Sequence, residues 1–87
     1  MTPSVKLERV QTGIRMDKTL LKVLKGVAEF KDMSLADLVE GVMLHALEGK
    51  AAITDPSTLA AIDQLRDVYG LKLTAEDAHK YPDPEGE

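Results

Sequence analysis

Between Arg9 and Met16 the chain alternates with a period of two, and it does so nowhere else. Val10, Thr12, Ile14 and Met16 fall on one side; Arg9, Gln11, Gly13 and Arg15 fall on the other. Such alternation predicts a single strand with one buried and one open face. A lone strand leaves its N–H and C=O groups unpaired, so a chain with only one needs a second copy of itself. The open face carries two arginines, a glutamine and a glycine, groups suited to reading a polar surface.

Everything after Met16 reads as helix. Asp17 is a good N-cap, since its carboxylate can accept from an orphan helical N–H. The helix that follows is expected to run to about Lys31. Leu20, Leu21, Val23, Leu24, Val27, Ala28 and Phe30 cover half its circumference, and Lys18, Lys22, Lys25 and Glu29 take the opposite side. Asp32-Met33-Ser34 breaks the pattern. Ser34 then caps a second helix, with Asp37 completing a weak capping box, and Gly49 ends it after about Glu48. Its apolar positions are Leu35, Leu38, Val39, Val42, Met43, Ala46 and Leu47, with Leu44 as an outlier on the polar side. Two short helices with such broad stripes carry more apolar surface than forty residues can bury, which again points to a partner copy.

Asp55-Pro56 opens a third helix, a cap followed by proline at the first helical position. Leu59, Ile62, Leu65 and Tyr69 share a face, flanked by Ala61 and Val68, and Gly70 stops it. Leu71-Lys72-Leu73 reads as an extended link, and Thr74 to Asp77 as a cap opening one or two turns. The expected organisation is a flexible arm (1–8), a core domain (9–49), a C-terminal helical extension (50–80) and a disordered acidic tail (81–87).

Composition narrows the classes. Eighty-seven residues make one small domain with a marginal core as a monomer. Only three residues are aromatic, so the core must be aliphatic, which suits helices better than a β-sandwich. The absence of cysteine rules out disulfides and thiolate metal sites. No signal-like or membrane-length apolar run occurs, so a soluble cytoplasmic protein without membrane attachment is expected. The net charge of −4 conceals a split. Residues 1–31 hold seven Lys/Arg against three acids, whereas residues 51–87 hold three against eight. Affinity for nucleic acid follows the patch that faces phosphate rather than the total charge.

The order strand, Asp cap, helix, short turn, Ser cap, helix resembles the ribbon-helix-helix (MetJ/Arc-type) family of DNA-binding proteins. The residues that carry the resemblance are Val10 to Asp17, then Leu20/Leu24 and Val27/Ala28, then Ser34-Leu35 and Leu38/Val39/Val42, within residues 9–49. It implies a mainly α homodimer in which two strands pair antiparallel into a ribbon entering the DNA major groove. Base contacts would then fall to Gln11, Gly13 and Arg15, with Arg9 just ahead. Phosphate contacts would fall to Ser34 and the backbone N–H groups of Leu35 and Ala36, where the helix dipole favours an anion. Lys6, Arg9 and Lys18 would add to them. The dimer core would comprise Val10, Thr12, Ile14, Met16, Leu24, Leu38 and Val42. Gly13 departs from the pattern by lacking a reading side chain, and Asp37 and Glu40 place acids beside the expected phosphate.

The resulting expectation is a sequence-specific transcriptional regulator binding double-stranded DNA as a homodimer, with room for higher assembly. Two other functions compete. Antitoxins join such a head to an acidic segment that binds a toxin, and residues 51–87 have the right charge for that protein partner. Asp32-Met33-Ser34-Leu35 faintly resembles the modification site of acyl carrier proteins, which would make Ser34 the modified serine. Each residue also has a plainer role: Arg15 as a solvated charge, Ser34 as a cap, His45 as a packed histidine, His79 near a frayed end. No nucleophile–base pair, Gly-rich phosphate loop or metal-ligand spacing stands out, so neither enzyme activity nor a cofactor is expected.

Overall fold

The computed structural model describes residues 8–78. They form three α-helices, α1 (Lys18–Phe30), α2 (Leu35–Leu47) and α3 (Pro56–Tyr69), and a 3-10 turn at Ala75–Asp77. The helix ends lie within about one residue of those expected, because capping chemistry sets them. Asp17 accepts from the Leu20 N–H at 2.9 Å, Ser34 Oγ from the Asp37 N–H at 3.0 Å, and Asp55 from the Thr58 N–H at 3.0 Å. All three helices leave through a left-handed residue: Asp32 (φ 58°), Gly49 (φ 72°) and Gly70 (φ 71°). The next N–H returns to a carbonyl five residues back, Met33 to Ala28 at 2.9 Å, Lys50 to His45 at 2.8 Å and Leu71 to Arg66 at 2.9 Å. Two of these returning residues, Met33 and Leu71, thereby land on the core.

The mainly α character agrees with expectation, but the ribbon-helix-helix architecture does not. The described residues contain no strand, and residues 8–17 lead into α1 without regular structure. Alternation determines only which side chains share a side. A ladder also needs a second edge to receive its N–H and C=O groups, and nothing among the described residues supplies one. Val10 and Ile14, expected to face inward from that strand, are 82% and 68% exposed. Helix α3, within the expected C-terminal extension, packs on α1.

The core explains why. Val23, Val27 and Ala28 of α1, Leu38 of α2 and Leu71 beyond α3 are buried together. Leu20, Leu24, Met33, Val42, Ile53, Ile62, Leu65 and Leu73 pack around them. Helix α1 is central, with α2 and α3 both packed on it rather than on each other. The wide apolar stripe of α1 thus finds its second neighbour in the same chain. Leu24, Leu38 and Val42, assigned to a dimer core, serve this one.

Where α1 meets α3, Leu65 seats over Gly26. A Cβ built there would lie 2.8 Å from Leu65 Cδ2, so the Leu65 side chain occupies the space that any other residue would fill. Glycine in mid-helix costs about 1 kcal/mol relative to alanine, a cost offset here by close helix approach. Gly41 in α2 is the contrasting case, since nothing lies within 4 Å of its would-be Cβ. Thr58 is the one buried polar residue among those described, only 2% exposed. Its hydroxyl donates to the Asp55 carboxylate at 2.5 Å, which removes the penalty for burying it.

Gly26→Val should lower stability by about 1–3 kcal/mol in denaturant unfolding through overpacking, with Leu65→Ala partly restoring it in a double-mutant cycle. Gly41→Ala should instead raise stability by about 0.5–1 kcal/mol, because it gains helix propensity without a clash. Hydrogen bonds from the Thr58 hydroxyl and N–H and from the Ser57 hydroxyl hold the Asp55 carboxyl down to about 2. A depressed folded-state value contributes stability that is present above the ordinary value of 3.8 and lost as pH falls through about 2. Asp55→Asn keeps the cap without titrating, so its melting temperature should fall less than wild type over that window.

Candidate nucleic-acid interface

The segment from Glu8 to Asp17 is exposed except at Met16, which is half-buried, and its basic and polar side chains stand at the surface. Arg9 is tied to α2. Arg9 donates from Nη2 to Glu40 Oε1 at 2.8 Å and from Nε to Glu40 Oε2 at 3.2 Å, a two-pronged pairing. The same Nη2 donates to Asp37 Oδ1 at 3.3 Å. The Glu40 hydrogen bond is the main reason the Arg9 guanidinium is held even more firmly protonated than usual. Arg9 therefore faces the two acids that the sequence sets against a phosphate, and it offsets one of their two charges.

At the start of α2, Ser34 Oγ satisfies the Asp37 N–H. The Leu35 and Ala36 N–H groups belong to the first turn, where no intrahelical acceptor is in reach. Ser34 and Leu35 line an open hollow of about 450 Å³ together with Lys25, Ala28, Glu29, Asp32 and Met33. The expected anion position thus gains a lysine from α1, although two carboxylates share the hollow.

The basic side of α1 forms a ridge. Lys18, Lys22 and Lys25 recur at four and three residues, and all three are exposed. Lys22 Nζ lies 5.8 Å from the centroid of the Tyr69 ring, within reach of a cation–π contact. Between α1 and the end of α3 lies a second hollow, of about 410 Å³, lined by Lys22, Lys25, Gly26, Glu29 and Tyr69. Lys25 borders both hollows. Only Lys18 of this ridge was singled out from sequence as a phosphate contact. The charge spacing of Lys22 and Lys25 is visible in the sequence, but their meeting with Tyr69 depends on the α1–α3 packing.

The remaining assignments separate. Gln11, Gly13 and Arg15 are exposed on the arm, and Gly13 has nothing within 4 Å of a would-be Cβ. Thr12 is also exposed. Lys6 and His79 lie outside the described residues. His45 Nδ1 sits 2.7 Å from the Gly41 carbonyl, an arrangement that requires Nδ1 to carry the proton and donate. The inner face of α3 is occupied by α1, so the acidic extension does not present that face to a partner. Among the described residues no His, Asp or Glu side chains group as a metal site, and no helix is long and apolar enough to cross a membrane. Comparison with family models, with curated proteins and with solved structures yields no match for this chain.

The Arg9 pairing makes a checkable statement about the arm. Asp37→Asn with Glu40→Gln should release it, so that trypsin cuts after Arg9 and Arg15 faster than in wild type under native conditions. The cutting rate within α1 should stay the same.

Proposed function

We propose that this protein is a sequence-specific transcriptional regulator that binds double-stranded DNA as a homodimer. The observation that carries the reading is the exposed arm, with Gln11 and Arg15, leading straight into a lysine-bearing face of α1. An exposed arm of this kind can reach base edges in the major groove, where each base pair presents its own donor and acceptor pattern. Arg15 is suited to a two-pronged contact with guanine, and Gln11 to one with adenine. Lys18 and the first turn of α2 supply sequence-independent phosphate contacts that set the register. Function here is binding without chemistry.

The homodimer is supported by apolar surface that this chain leaves open. Val10 and Ile14 on the arm and Met43, Leu44 and Leu47 on α2 are all exposed, Leu47 to 85%. A helix with apolar residues on most of its circumference and a single buried one, Leu38, has more to bury than α1 can cover. A second copy would present the same surface and double the number of arms on the DNA.

Selection of bound sequences from random duplex DNA should enrich an inverted or tandem repeat. On the selected site, Arg15→Ala should cost on the order of 1–3 kcal/mol, measured by fluorescence anisotropy, while the circular dichroism spectrum is unchanged. Wild-type affinity in Arg15→Ala would show that the arm does not read the bases.

A further inference from the structure

The groove between α1 and the end of α3 is a surface that the arm-centred reading does not use. Three features meet there. Lys22 and Lys25 project from successive turns of α1, and among the described residues neither is in an ion pair. Tyr69 lies under the Lys22 ammonium at 5.8 Å, so the ring limits where that flexible side chain can go. Gly26 forms part of the groove lining, bringing the α1 backbone itself to the surface of the hollow. Glu29 is the only acid lining it.

We propose that this groove, together with Lys18 one turn before Lys22 on α1, holds the phosphate backbone of one DNA strand. The inference rests on the DNA-binding reading and assigns the backbone contact to a face distinct from the arm. From Lys18 to Lys25 the helix rises about 10 Å. One strand of duplex DNA places a phosphate every ~3.4 Å along the axis, so the ridge runs beside about three of them. Lysine suits this task as a compact point charge that accepts any phosphate direction. Tyr69 acts as a positioning residue, since a cation–π contact keeps the Lys22 ammonium over the groove instead of dispersed in solvent. The neighbouring carboxylate of Glu29 restricts anion binding to the lysine side of the hollow. The site reads no sequence; it makes the chain adhere to DNA while the arm samples bases.

The test uses the whole protein and a random-sequence duplex, with affinity followed by anisotropy across a range of salt. In the Lys22→Gln/Lys25→Gln variant the slope of log affinity against log salt should become shallower by about 2, since each phosphate contact contributes ~0.9. The loss of affinity should be the same on selected and random DNA. Lys22→Arg/Lys25→Arg should retain the wild-type slope, which separates lost charge from altered packing. Tyr69→Leu should weaken binding while keeping most of the slope, and Tyr69→Phe should behave as wild type. A wild-type slope in the glutamine variant overturns this site and leaves the arm reading standing. If the wild-type protein binds no duplex even at low salt, both fall.

Discussion

The seating of Leu65 on Gly26 is the contact on which the rest of this structure depends. It lets α3 approach α1 closely enough for Ile62 and Leu65 to join the core from one side while Leu38 joins from the other. Without it α1 would have a covered half and a bare half, since α2 alone matches only part of its stripe. The same approach brings Tyr69 up to Lys22 and creates the groove beside them. The packing of α3 on α1 therefore shapes both the core and the basic face.

The reading of each helix from sequence succeeded wherever a local cause sufficed. Asp17, Ser34 and Asp55 cap their helices by bonding to amides three residues ahead, an interaction that needs no tertiary context. Gly49 and Gly70 end theirs by adopting a conformation that their neighbours resist. Asp32 does the same with a side chain present, which the residue type alone does not announce. The alternation at 9–16 was legible as a pattern, yet a strand is a property of two edges, and the sequence of one chain shows only one. Phe30 shows the parallel error on a helix: it sits at the margin of the apolar stripe, beyond the reach of either neighbour, and is 54% exposed.

The candidate site divides along the same line. Arg15, Gln11 and Lys18 were visible because charge and period place them on an open side. Lys22 and Lys25 were visible as charges but not as the wall of a groove, because Tyr69 lies more than forty residues away and reaches them only through the α1–α3 contact. Thr58 was hidden for the opposite reason. A polar residue reads as surface unless its partner is known, and its partner is the capping carboxylate of Asp55. The pairing of Arg9 with two acids of α2 was not legible, because long-range ion pairs between exposed side chains leave no periodic trace.

Arg9 gives the arm an electrostatic consequence for the helix it touches. With the guanidinium in place, the start of α2 carries Asp37 and Glu40 with half of their charge cancelled. With the arm lifted away, both charges face whatever approaches the first turn, and they oppose the positive end of the helix dipole. The position of a segment without regular structure thus sets how receptive a rigid helix end is to an anion. A segment without regular structure thus supplies the counter-ion for the start of a helix.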